Sequence, residues 1–135
     1  MSTTQPIRSK QLLHDFKEYF LTKQPNSRNY TLILIGLNTA LRINDILHLT
    51  WGDVYCTEHS RFYTHLLITE KKTEKETRIL INRELQETLL SYRKTQPSIA
   101  DTDYLFPSPR KADSPLSRYQ AYRIVRKAAE AVGIE

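Results

Sequence analysis

The sequence predicts an α+β fold that is mostly α, with helices packed on a small three-stranded antiparallel sheet. Several stretches place apolar residues at helical spacing, which favours amphipathic helices with one buried face. Between Asp53 and Asn82 the pattern changes to alternation interrupted by charged residues, which is typical of strands joined by a turn. With 135 residues, of which 39% are hydrophobic, the chain is long enough for one domain with a modest core.

The first half of the chain predicts two helices. Residues Ser9 to Leu21 form the first, and its inner face consists of Leu12, Leu13, Phe16 and Phe20. A short loop from Pro25 to Arg28 leads to an apolar run from Tyr30 to Leu41, which is too long for a typical strand and contains no turn signal. We therefore expect a core helix, with Asn26 or Ser27 as its N-cap.

Arg42 lies at the junction between this core helix and a further amphipathic one. After Arg42, apolar residues recur at helical spacing, namely Ile43, Ile46, Leu47 and Leu49. Asp45 lies three residues after Arg42, where its carboxylate can orient the Arg42 guanidinium from behind. An arginine fixed by packing on both sides can clamp a phosphate. The segment alone is equally compatible with an ordinary surface Arg–Asp pair, which contributes little.

A lysine-rich turn and a last basic helix follow. Alternating apolar residues near positions 62–68 and 79–81 predict two strands, and the charged residues between them form a turn. Asn82 is a good N-cap for a helix that ends near Thr95 and buries Leu85, Thr88, Leu89 and Tyr92 on one side. Residues 96–113 contain three prolines and predict a loop. The last helix has a buried face of Ala121, Val125, Ala128 and Val132, and its other side carries Arg118, Arg123, Arg126 and Lys127.

Composition narrows the choice of partners. A net charge of +5 and an isoelectric point near 9.4 favour an anionic partner such as nucleic acid. The single cysteine, Cys56, cannot form an internal disulfide and suits a reducing cytoplasm. No apolar run approaches the roughly 20 residues that span a membrane, and the N-terminus lacks a signal-like apolar core. We therefore expect a cytoplasmic protein with no membrane partner.

The stretch around Arg42 resembles the first-arginine box of the tyrosine recombinase (phage integrase) family. In that family a Thr-Gly-Leu-Arg stretch leads into a Ser-Glu-Leu or Ser-Asp-Leu helix and then into a Trp-x-Asp-Val/Ile strand start. This chain has Thr-Ala-Leu-Arg at 39–42, Asn-Asp-Ile-Leu at 44–47 and Trp-Gly-Asp-Val at 51–54. Two departures are visible: Ala40 replaces the usual glycine, and Asn44 replaces the usual serine.

The charged turn resembles the family hairpin that carries its catalytic lysine. The family pattern is Lys-Thr-Gly-Lys followed shortly by arginine, so Lys-Thr-Glu-Lys at 72–75 with Arg78 aligns best and makes Lys72 the catalytic candidate. Lys71, one residue earlier, is the competitor. Glu74 replaces the family's glycine and removes an easy route to positive φ, which predicts a longer or differently shaped turn. Without the resemblance, a solvated lysine-rich turn is the better interpretation.

A third match covers Leu-Phe-Pro-Ser at 105–108 and the helical stretch 115–134, which resemble the segment before the family's catalytic core. The family's next motifs are His-x-x-Arg, a further His or Trp, and the tyrosine nucleophile. None of the four histidines is followed three residues later by arginine, and all eight tyrosines precede the nucleophile's place. We therefore expect residues 1–135 to be a partial catalytic domain, incomplete at its C-terminus, with no separate core-binding domain.

The resemblance implies site-specific recombination of double-stranded DNA through a 3′-phosphotyrosyl intermediate, with no metal or other cofactor. It implies that Arg42 binds the scissile phosphate, that Asp45 supports it, and that Lys72 protonates the leaving 5′ oxygen. DNA-backbone contacts would come from Lys71, Lys75, Arg78, Arg118 and Arg123. Family members act as tetramers on DNA. Two alternatives remain: a DNA-binding module of the same fold without catalysis, and a helical interaction domain unrelated to nucleic acid.

Overall fold

The computed structural model describes residues 10–69 and 73–134. Its α-helices are α1 (Lys10–Glu18), α2 (Ser27–Thr39), α3 (Ile43–Leu47), α4 (Trp51–Val54), α5 (Arg83–Lys94) and α6 (Arg118–Ala131). Its strands are β1 (Tyr55–Cys56), β2 (Arg61–Phe62), β3 (His65–Thr69) and β4 (Glu76–Leu80). The expected α+β, mostly α class is confirmed. No helix in the described part of the chain is both long and apolar enough to cross a membrane.

The strands form two antiparallel ladders rather than one three-stranded sheet within the described residues. β1 pairs with β2 from Tyr55 opposite Phe62, and β3 pairs with β4 from His65 opposite Leu80. The N–H of Tyr63 donates to the carbonyl of Val54 at 2.8 Å, which extends the β1–β2 pairing by one residue, and a bend at Thr64 then separates β2 from β3. All four strands lie within the predicted region from Asp53 to Asn82.

Local capping sets the predicted helix boundaries. Asn26 caps α2 by accepting a hydrogen bond from the N–H of Asn29 at 3.0 Å, and Asn82 caps α5 by accepting one from Leu85 at 2.9 Å. The structure thus selects Asn26 from the two candidates for α2, Asn26 and Ser27, and confirms Asn82 for α5. The first helix differs, because α1 continues into a π-helical turn, Tyr19–Lys23, and Leu13 is 39% exposed. The expected inner face is therefore wrong at Leu13.

The core is built around α2, whose central residues are buried from Thr31 to Ile35. α2 packs against α5, and α3 packs against α6. An aromatic cluster joins α4, α5 and the loop after α5: the ring of Tyr92 lies 5.5 Å from that of Trp51 and 6.1 Å from that of Phe106. The loop is held to the start of α4, since the N–H of Leu105 donates to the carbonyl of Leu49 at 3.0 Å.

The Trp-Gly-Asp-Val motif forms helix α4, and the strand begins directly after it at Tyr55. A capping box starts this short helix. The N–H of Thr50 donates to the carboxylate of Asp53 at 2.8 Å, and the side-chain oxygen of Thr50 accepts from the N–H of Asp53 in return. The motif therefore fixes the point at which helix α4 ends and strand β1 begins.

Candidate active site

Arg42 combines a fixed backbone with an exposed side chain. It is the N-cap residue of α3, with φ −66° and ψ 148°, and its carbonyl accepts a hydrogen bond from the N–H of Ile46 at 3.1 Å. The neighbours Leu41 and Ile43 are partly buried and pack against the core. The backbone at Arg42 is therefore held in place while its side chain is open to solvent, where the guanidinium can reach a phosphate.

The turn before Arg42 contains a left-handed residue. Ala40 has φ 55° and ψ 22°, and its N–H donates to the carbonyl of Gly36 at 3.3 Å, which ends α2. Glycine adopts this conformation most readily, which explains why the resembling motif has glycine at this position. Ala40 therefore adopts the conformation that glycine would favour at this position.

Thr39 is a buried polar residue that the sequence analysis did not single out. Its hydroxyl donates to the carbonyl of Ile35 at 2.6 Å and accepts a hydrogen bond from the N–H of Leu41 at 3.3 Å. These two bonds span the left-handed turn and tie the residue before Arg42 to the last turn of α2. The available signal was the threonine itself, directly after an apolar run and three residues before the arginine.

Asp45 is half-buried on the first turn of α3. Over residues 10–69 and 73–134, the ion pairs are Lys17–Glu84 and Arg83–Glu87, so none joins Arg42 to Asp45. The role of Asp45 in orienting the guanidinium stays a prediction. Asp45 still places a negative charge near the N-terminus of α3, where it is favourable.

The β3–β4 hairpin carries the lysine-rich turn. Lys71 and Lys72 lie outside the described residues, and so the catalytic lysine candidate stays a prediction. Lys75 and Arg78 are exposed, and Arg78 lies opposite Leu67 in the ladder. Glu74 has φ 54°, so its backbone occupies the left-handed region that we expected the loss of glycine to disfavour.

Helix α6 presents aromatic residues as well as cations. Arg118 and Arg123 are both exposed, and the guanidinium carbon of Arg123 lies 5.8 Å from the ring centre of Tyr119. Tyr119 is 69% exposed and Tyr122 is 51% exposed, neither of which we predicted as a surface feature. The signal was present, since the two tyrosines alternate with arginines at helical spacing.

The opposite side of α6 faces the core. Ala121, Ile124 and Ala128 are buried, while Val125 and Val132 are only partly buried, so the apolar face is rotated slightly from the predicted one. Because α6 packs against α3, the helix that bears Arg118 and Arg123 is adjacent to the helix that begins at Arg42. The structure thus places the Arg42 segment and the basic helix α6 next to each other.

Comparisons with known proteins agree on one family. Residues 5–135 match the model described as "Phage integrase family". The chain is 43% identical over its 135 residues to the "Probable integrase/recombinase YoeC" of Bacillus subtilis (strain 168), and covers 68% of that protein.

Solved structures share the fold at low sequence identity. XerA recombinase matches 98% of this chain with a TM-score of 0.73 at 22% identity, and lambda integrase (residues 75–356) bound to DNA matches 98% with 0.63 at 15%. The Tn1549 transposon integrase (residues 82–397), in complex with circular intermediate DNA, matches 95% with 0.59 at 20%. The chain spans only 45–46% of the length of these solved chains.

Proposed function

This chain belongs to the phage integrase family, and from that premise we propose that it acts in site-specific recombination of double-stranded DNA, the integration or excision of mobile DNA, as part of a tyrosine recombinase. The observation that carries the proposal is the exposed guanidinium of Arg42 on a backbone fixed between two packed helices. The solved relatives described as bound to DNA support the choice of partner. The exposed cations Lys75, Arg78, Arg118 and Arg123 suit a polyanionic backbone.

The proposed mechanism assigns each residue one task. A tyrosine of the complete active site attacks a phosphodiester and forms a 3′-phosphotyrosyl bond, which releases a 5′-hydroxyl; attack by the hydroxyl of another strand reverses the step. Arg42 binds the non-bridging oxygens, on which charge builds in the five-coordinate transition state. Its planar fork donates two parallel charge-assisted bonds. Loss of one such donor costs about 3 to 4 kcal/mol of transition-state stabilisation.

Lys72 is proposed as the general acid that gives its proton to the departing 5′ oxygen, a task typically worth about 10²- to 10⁴-fold in rate. Lys71, next to it, is the competing candidate. Asp45 is proposed to support Arg42 when phosphate is bound. Lys75, Arg78, Arg118 and Arg123 hold flanking phosphates, which sets the position of the duplex without reading its sequence.

The 135-residue chain supplies only part of this active site. It contains no His-x-x-Arg sequence, and none of its tyrosines lies where the family's nucleophile belongs. We therefore expect the chain alone to bind duplex DNA weakly and to form no covalent adduct. Assembly into a tetramer on paired DNA sites is proposed for the complete enzyme only.

Duplex binding measured across salt concentrations tests the proposal. The logarithm of the association constant should fall linearly with the logarithm of salt concentration, because bound phosphates release their counterions. Arg42→Ala should reduce the slope by about 1. Arg83→Ala is the matched control, since the Arg83 side chain is 93% exposed and paired with Glu87 at 3.4 Å on α5. Salt-independent or absent binding would overturn the proposal.

A second measurement tests the chemistry. A duplex with a nicked site traps phosphotyrosyl protein because the short product diffuses away. No adduct is expected with this chain, whereas the same chain fused after Glu135 to a family segment with the His-x-x-Arg and tyrosine motifs should form one. Arg42→Ala should abolish that adduct. Duplex binding without any adduct from the fusion would instead identify a DNA-binding module of the same fold.

A further inference from the structure

Two asparagines join the segments that lead to the two predicted catalytic residues. The Asn82 side-chain amide donates a hydrogen bond to the side-chain oxygen of Asn38 at 2.7 Å, across 44 residues of sequence. Asn38 lies in the last turn of α2, four residues before Arg42. Asn82 lies two residues after the end of β4, at the base of the hairpin.

Each side chain of the asparagine pair makes at least one further hydrogen bond. The Asn38 amide donates to the carbonyl of Leu34 at 2.9 Å and lies 3.5 Å from the carboxylate of Glu84, which in turn pairs with Lys17 at 2.6 Å. The side-chain oxygen of Asn82 is occupied by its N-cap bond to Leu85. Neither amide can therefore turn without losing a second bond, so the contact has one favoured geometry.

The base of the hairpin is fixed by further bonds on the same side. The N–H of Ile81 donates to the carbonyl of Thr64 at 2.8 Å, and the carbonyl of Ile81 accepts from the side chain of Gln86 at 3.0 Å. The first bond extends the β3–β4 pairing by one residue, and the second ties the base of the hairpin to α5. The Asn38–Asn82 hydrogen bond ties the same point to the end of α2 that leads to Arg42.

We propose that Asn38 and Asn82 form a positioning pair that fixes the base of the β3–β4 hairpin relative to the Arg42 end of α2. The consequence for DNA rests on the proposed function: the hairpin cations and Arg42 engage the same duplex only if the spacing between their supports is held. Without the pair, the duplex can contact either Arg42 or the hairpin cations well, but not both at once.

Asn82→Ser separates positioning from capping. Serine is an N-cap comparable to asparagine, so the bond to Leu85 can be kept, but its side chain is too short to reach Asn38. Asn26→Ser is the matched control, because Asn26 caps α2 in the same way, through a side-chain bond to Asn29 within α2. Asn38→Ala removes the pair from the other side.

The first readout needs no DNA. Nitroxide labels on the exposed positions Leu37 and Glu76, in a Cys56→Ser background, report the distance between α2 and β4. We expect one narrow distance distribution for the parent and for Asn26→Ser, and a broadened or shifted one for Asn82→Ser and Asn38→Ala. An unchanged distribution in folded Asn82→Ser and Asn38→Ala overturns the positioning pair, whatever the protein does with DNA.

The second readout is duplex affinity at a temperature at which all variants are folded. Asn82→Ser and Asn38→Ala should each weaken duplex binding about three- to tenfold. The double variant should weaken binding no further, because both substitutions remove the same Asn38–Asn82 bond. The salt slope should fall by about 1, which loss of stability alone does not cause. Changed distances with unchanged affinity and slope overturn the link to DNA. If the duplex affinity of the parent protein does not depend on salt, the proposed function is wrong instead. The distance measurement still tests whether Asn38 and Asn82 position the hairpin.

Discussion

The hydroxyl oxygen of Thr39 accepts a hydrogen bond from the N–H of Leu41 at 3.3 Å, across the left-handed residue that precedes Arg42. The same hydroxyl donates to the carbonyl of Ile35, so one buried group serves both the end of α2 and the start of the arginine segment. The backbone that leads into Arg42 is therefore held by a buried side chain of the preceding helix.

Thr39→Val should lower the free energy of unfolding more than Thr31→Val does, by about 1 kcal/mol. Both threonines are buried in α2 and donate to the carbonyl four residues earlier, with Thr31 bonded to Ser27 at 2.7 Å. Only Thr39 also accepts a hydrogen bond, and its loss leaves the Leu41 N–H without that acceptor. Urea unfolding of the two variants measures the difference, and equal losses would contradict the assigned role.

Opposite exchanges at positions 36 and 40 should both stabilise the protein. Ala40→Gly removes the strain of a left-handed alanine and should raise the free energy of unfolding by about 0.5 to 1 kcal/mol. Gly36→Ala should add a similar amount, because glycine inside a helix is unfavourable by about 0.5 to 1 kcal/mol and a Cβ there meets nothing within 4 Å. A lower melting temperature for Ala40→Gly would show that the turn is not left-handed in solution.

Tyr92 should make stability fall at alkaline pH. Burial raises the pKa of Tyr92 from 10.0 to about 12, partly offset by the charge of Arg28. Because the folded-state pKa is raised, the stabilisation is complete below about pH 10 and is lost as pH rises towards about 12, by about 2 kcal/mol. Tyr30 acts in the same direction. Burial, followed by the charges of Glu18 and Glu84, raises the pKa of Tyr30 to about 12.

Tyr92→Phe separates this effect from general alkaline unfolding. The variant loses the hydrogen bond to the carbonyl of Leu105 at 2.6 Å, which should cost about 1 kcal/mol near neutral pH. It should also show a smaller fall in unfolding free energy between about pH 9 and pH 11.5 than the parent, since the most buried of the tyrosines with a raised pKa is gone. Parallel pH curves for parent and variant would contradict the raised pKa.

Arg118 and Arg123 should each contribute one phosphate contact. Arg118→Ala and Arg123→Ala are expected to reduce the slope of log affinity against log salt by about 1 each, with similar losses on unrelated duplex sequences. Arg83→Ala again serves as control. A loss confined to one sequence would instead show that the arginine reads bases.

Local physics explains what could be predicted. Asn26 and Asn82 were recognised as caps because an N-cap depends on residues three positions away, and α2 was recognised from an apolar run with no turn signal. Arg42 was found from its place between two apolar stretches. Leu13 was misplaced because periodicity shows which face is apolar, but not how far the neighbouring elements extend to cover it.

Tertiary structure decided the strand arrangement. Sequence alternation predicted strands between Asp53 and Asn82, yet it cannot show which strands share a ladder. The N–H of Tyr63 bonds to Val54 and so continues the pairing of β2 with β1, and a bend at Thr64 separates β2 from β3. Glu74 is a second case in which local preference is overruled. Its backbone adopts a positive φ, which a residue with a Cβ atom disfavours in isolation.

By itself, the sequence determined the helical segments, their caps, the basic side of α6 and the arginine box, because each depends on residues within about one or two helical turns. Only the folded chain decided that α3 packs on α6, that Ala40 is left-handed, and that Asn38 meets Asn82. Such relationships join residues distant in sequence, or strain a residue against its own preference. Their free energy comes from the packing of whole elements, which no local pattern encodes.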